Sequence, residues 1–109
     1  MYAKLVISLL ALLLAGCAAF TPAQSLEQRM AYGYGSHTAV LEATANLVEF
    51  GDLSADQGQD VLELADRARM VLDTARFALD AGDPRTAEGQ LALALGILQE
   101  LQNYLRRQQ

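Results

Sequence analysis

The chain has 109 residues, enough for one domain with one modest core. It is 52% hydrophobic and 19% charged with two prolines, which excludes a disordered acidic tail and collagen-like or proline-rich readings. Net charge −5 with a single Cys and a single His excludes a basic nucleic-acid face, an intrachain disulfide and a structural zinc site, so no nucleic acid, metal or cofactor is expected.

Met1–Lys4 supplies a positive start, and Leu5–Ala15 is an apolar run broken only by Ser8. Its 11 residues reach roughly 16 Å as a helix at ~1.5 Å per residue. A bilayer core is about 30 Å thick. Extension to Phe20 gives 16 residues with Gly16 inside, so the run fits the apolar region of a signal peptide better than a membrane span. Leu14-Ala15-Gly16-Cys17 follows. These residues resemble the lipobox of bacterial lipoproteins: a Leu, two small residues and a Cys.

The resemblance implies a diacylglycerol on the Cys17 thiol, cleavage after Gly16 and acylation of the new amino group. Small residues let an extended backbone enter a peptidase cleft, and the thiol is the soft nucleophile available for alkylation. Acyl chains contribute ~0.8 kcal/mol per buried CH₂, and two or more anchor stably. In the sorting pattern of enteric lipoproteins, Ala18 after the lipid-bearing Cys implies the outer membrane, with the domain facing the periplasm. The inner membrane is the alternative address. The plainer alternative for the leader is an ordinary signal peptide or short anchor with an incidental buried Cys. The expected organisation is 1–16 as leader, 17–23 as lipidated tether and 24–109 as helical domain, with 7 arginines against 13 acids after the leader.

Thr21-Pro22-Ala23-Gln24 has the form of a helix start, with Thr21 as cap and Pro22 at the first helical position. The first helix is expected to reach Glu49, with Leu26, Met30, Tyr34, Val40, Leu41, Leu47 and Val48 as apolar positions. Gly33 and Gly35 predict a break there, with Ser36 capping a restart. Gly51 ends the helix, and Ser54-Ala55-Asp56-Gln57 is a capping box. The second helix is expected to run to about Ala81, and Val61, Leu64, Ala65, Ala68, Val71, Leu72, Ala75, Ala78 and Leu79 share one face. Gly82 closes it, Asp83 caps the third helix and Pro84 opens that helix, which runs to about Arg106. Ala87, Leu91, Ala94, Leu98, Leu101 and Leu105 recur in alternating steps of four and three. Leu95, Ile97 and Tyr104 widen that stripe to about half the circumference, enough for two neighbours. No strand signal is present. The expected fold is all-α: an antiparallel three-helix bundle, or an extended helical hairpin with a first helix broken near Gly33-Gly35 and laid across it.

Asp66, Arg69, Asp73, Arg76 and Asp80 form an alternating-sign ladder, read as a solvated edge rather than a recognition strip. Met70 and Phe77, with Leu62 nearby, form a contact patch, the crossing place of the first helix, or the scattered apolar exposure normal on any surface. Tyr32 and Tyr34 make an aromatic-glycine element with Gly33 and Gly35. It is read as a local break against the third helix, with a hinge, a close helix approach or a binding surface as the alternatives. These five residues, Leu62, Met70, Phe77, Tyr32 and Tyr34, are the candidate interaction face. His37 is read as a half-exposed histidine near a helix start rather than a general base. Asp56 and Asp60 are one turn apart, as carboxylates on any acidic helix often are. Nothing has phosphate-loop, metal-ligand or triad spacing, so no enzyme and no pocket of converging carboxylates is expected.

Ala75–Asp83 followed by Ala87, Leu91, Ala94 and Leu95 resembles one helix-turn-helix of tetratricopeptide-type repeats, without the further copies an array needs. Tyr32–Gly35, Gly51–Ser54 and Ala81–Asp83 are similar to recurring elements of small all-helical lipoproteins of proteobacteria and their phages or prophages. That likeness implies location and architecture but no reaction. The expected function is therefore a non-enzymatic, membrane-anchored envelope lipoprotein whose domain holds a protein partner or a second copy. The alternative is a phage or prophage lipoprotein acting in host lysis or superinfection exclusion.

Overall fold

A computed structural model describes residues 22–109. The leader, Leu14-Ala15-Gly16-Cys17 and Ala18 lie outside the described residues. Three helices follow in order: α1 Pro22–Glu49, α2 Ala55–Asp80 and α3 Pro84–Arg107. Each packs against both others, and no strand occurs among the described residues. The fold is an antiparallel three-helix bundle, the first of the two architectures expected.

The turns form for the local reasons visible in the sequence. Gly51 and Gly82 take φ of +81° and +79°, a region that costs side-chain-bearing residues. After α2, the Asp83 N–H reaches back to the Ala78 carbonyl at 2.9 Å and the Gly82 N–H to Leu79 at 3.1 Å, which satisfies carbonyls left open at the helix end. At the start of α2, Ser54 Oγ accepts from the Gln57 N–H at 3.1 Å, and Gln57 Oε1 accepts from the Ser54 N–H at 2.9 Å. Asp83 caps α3 by accepting from the Thr86 N–H at 3.2 Å, with Pro84 in the first turn.

The α2–α3 hairpin is built on two matched stripes. α2 buries Gly58, Val61, Ala65, Ala68, Leu72 and Ala75, and α3 buries Ala87, Leu91, Ala94, Leu98, Leu101 and Leu105. Both run in alternating steps of three and four, the repeat that keeps a seam facing a partner helix. Alanines on α2 make room for leucines on α3. Each fully buried leucine contributes about 1.5–3 kcal/mol relative to exposure.

α1 corrects the sequence reading. It runs unbroken through Gly33, Gly35 and Ser36, and Ser36 is buried mid-helix instead of capping a restart. Gly33 lies where the helices approach closely. A Cβ there would stand 2.7 Å from Leu72 Cδ2 and 3.4 Å from Leu95 Cδ2. The glycine therefore serves a close contact, and the helix continues through it. The same continuity places His37 on the inner face, buried at 8% exposure instead of half-exposed. Leu26, Met30, Gly33, His37, Val40, Thr44 and Leu47 are all buried and also run in steps of four and three. Thr44 fits the core because its Oγ1 donates to the Val40 carbonyl at 2.7 Å. Leu41 and Leu64, expected on core faces, are exposed at the rims of the seams.

Candidate functional site

Two features stand out on this frame: a charged seam between α1 and α2, and an apolar groove between α2 and α3. The seam comes from the ladder read as a solvated edge. Arg76 donates through both terminal nitrogens to the two Glu27 carboxylate oxygens at 2.7 Å, and through Nη2 to Asp80 Oδ1 at 2.6 Å. Tyr34 OH donates to Asp73 Oδ1 at 2.6 Å, and Arg69 Nε donates to the same oxygen at 3.2 Å. The Arg69 guanidinium lies 4.8 Å from the centre of the Tyr34 ring. On the other flank of α1, Arg29 faces Glu88 of α3 at 3.7 Å. The ladder therefore joins two helices instead of decorating one. Spacing along α2 could not show this, because Glu27 and Tyr34 lie 49 and 39 residues away.

The seam reshapes its titrating groups. The Arg76 hydrogen bond holds the Glu27 and Asp80 carboxyls below their ordinary 4.5 and 3.8. The Tyr34 hydroxyl, then Arg69 and the nearby His37, hold Asp73 down. Burial and the Asp73 hydrogen bond push the Tyr34 phenol up to about 12. Away from the seam, the Thr86 hydroxyl and N–H lower Asp83.

The groove lies at one end of the hairpin, between the start of α2 and the end of α3 and with no α1 residue in its lining, and has a volume of about 590 Å³. Val61, Leu64, Ile97, Leu101 and Tyr104 make its apolar floor and walls. Asp60 from α2 and Glu100 from α3 stand exposed on its rim, and Arg107 lines it from the last turn of α3. The wide stripe of α3 accounts for its formation. Leu95 turns toward α1, while Ile97 and Tyr104 turn to the groove. The carboxylates are solvated and come from different helices, so they are not the paired Asp56 and Asp60 of the sequence. Spacing within one helix does not reveal such a pair.

The five residues of the candidate interaction face do not form one surface. Tyr34 is in the seam with α2, not against α3 as expected. Tyr32 is 65% exposed on the opposite flank of α1, because residues two apart on a helix diverge by about 200°. Met70 and Phe77 are 61% and 76% exposed on the outer face of α2, which α1 does not cross. Leu62 is exposed as well. Among the described residues, no helix is long and apolar enough to cross a membrane, and no group of three or more His, Cys, Asp or Glu could hold a metal ion. No known protein family, curated protein or solved structure matches the chain.

Proposed function

We propose that this chain is a lipid-anchored envelope protein whose helical domain holds a protein partner and performs no catalytic step. The observation that carries the partner-binding part is the apolar α2–α3 groove left uncovered by α1. Support for the anchor is the Leu14-Ala15-Gly16-Cys17 motif behind an apolar run too short to span. Ala18 supports an outer-membrane address with the domain in the periplasm, by the sorting pattern of enteric lipoproteins.

The geometry gives this reading a consistent arrangement. Pro22 begins α1 five residues after Cys17, a tether of at most about 18 Å. The Arg76–Glu27 and Arg29–Glu88 pairs put the start of α1 at the α2–α3 turn. Asp60 of the groove lies 16 residues back along α2 from Arg76, about 24 Å at ~1.5 Å per residue. The groove therefore lies at the end of the bundle opposite the start of α1, to which the proposed tether connects.

The test is expression of the full chain in a Gram-negative host, with Cys17→Ser beside it. The expected result is a Cys17 peptide carrying the mass of diacylglycerol and acyl chains in the outer-membrane fraction, with the variant unmodified. An unmodified thiol with the leader retained would refute the anchor. Absence of any envelope crosslink from a photoreactive residue at position 97 would refute the partner.

A further inference from the structure

We infer that the α2–α3 groove binds an amphipathic α-helix whose apolar stripe is bordered by Lys or Arg. This rests on the reading of the domain as a partner-holding module and names the chemistry of that partner. The molecule itself supplies the first argument. A hairpin of two helices has two long grooves, one on each face. In this protein one of them is filled by α1, a helix whose buried positions recur in steps of four and three. The other opens at one end of the hairpin, where Val61, Leu64, Ile97, Leu101 and Tyr104 line it from both helices. A helix laid there completes a four-helix arrangement, and helix-in-groove docking uses anchors at i, i+3 or i+4, and i+7. A volume of about 590 Å³ accommodates several such anchors.

Charge decides which helix. α1 meets its own groove with complementary pairs: Glu27 to Arg76 on one flank and Arg29 to Glu88 on the other. The open groove is bordered by one carboxylate on each side, Asp60 on α2 and Glu100 on α3. Neither is in an ion pair among the described residues. Arg107, the one cationic group of the lining, sits in the last turn of α3, where it serves the negative end of that helix. A docked helix with basic flanks places a cation against each carboxylate. The same charges disfavour a second copy anchored in the same leaflet, because a parallel pair sets Asp60 and Glu100 against their counterparts at equal height.

The experiment is a selection. The full chain, incorporated in phosphatidylcholine nanodiscs, is the target for a displayed library of Leu-striped helices whose flanking positions vary among Lys, Arg, Glu, Asp, Gln and Ser. Empty nanodiscs and the Ile97→Glu variant remove peptides that bind lipid or other faces. Basic flanks are expected to outnumber acidic ones at least tenfold after selection. Asp60→Lys/Glu100→Lys is expected to invert that preference, while Met70→Glu on the outer face of α2 leaves it unchanged. Circular dichroism of each variant confirms the fold. Selected flanks indifferent to charge, no retained peptides, or loss through Met70→Glu would overturn the inference, as would a dimer of the full chain broken by Ile97→Glu. The lipid mass at Cys17 is read separately, so an anchored chain with no basic-helix preference refutes only the groove assignment.

Discussion

At the scale of single residues, the glycines of this chain divide by what a methyl group would meet. At Gly58 an added Cβ would stand 2.6 Å from Val48 Cγ2, and a β-branched valine has little rotational freedom to yield. Gly35 has nothing within 4 Å. Gly58→Ala is therefore expected to destabilise by about 1–3 kcal/mol through overpacking, less the helix-propensity gain. Gly35→Ala is expected to stabilise by up to about 1 kcal/mol. Urea midpoints at unchanged slope check both signs, and a stabilised Gly58→Ala would mean that α1 and α2 do not approach so closely. Both glycines sit in helices and look alike in the sequence. The difference is the neighbour across the seam, which no local pattern encodes.

The seam between α1 and α2 is where helices respond to pH. Glu27, Asp73 and Asp80 have folded pKa values below those of the unfolded chain. Their contribution is full above the ordinary carboxylate range of 3.8–4.5 and is lost as pH falls through the lowered values. Tyr34 has the opposite sign. Its phenol is raised from 10.0 to about 12, so its contribution is full below 10.0 and is lost as pH rises toward 12. Stability is thus expected to fall at both ends, and Tyr34→Phe is expected to remove most of the alkaline loss. Chemical denaturation at pH 3, 7, 10 and 11.5 measures this, and an alkaline loss unchanged in Tyr34→Phe would assign it to other groups. At neutral pH the same substitution is expected to cost about 1 kcal/mol or less, since the bond to Asp73 is partly solvated.

In the whole molecule, the three helices are not held equally. The stripe of α1 includes Gly33, His37 and Thr44, whereas that of α3 consists of leucines and alanines. Polar and small residues on a seam specify register while contributing less apolar burial. α1 amides are therefore expected to exchange with solvent deuterium before those at the centre of the α2–α3 hairpin. Equal protection in all three helices would contradict this order. Leu98 is 1% exposed at the centre of the bundle. Leu98→Ala is expected to cost about 2–5 kcal/mol and to lower the midpoint of a single cooperative thermal transition followed by circular dichroism.

The helix boundaries and turns were legible because their causes are local: Ser54 with Gln57, Gly82 with Asp83 and Pro84, and the leucine-alanine stripe of α3. The stripe of α1 was present as spacing but hidden, since Gly33, His37 and Thr44 do not count as apolar, and two glycines close together resemble a break. Tertiary contact settled what local propensity could not. Leu72 packs against Gly33 where α1 continues unbroken, and Glu27 and Tyr34 turn the acid-base ladder into a clasp. The covered face of the hairpin, and hence the position of the groove between Asp60 and Glu100, depends on which side α1 packs. That choice is a sum over contacts between distant segments, so it exists only once the chain has folded.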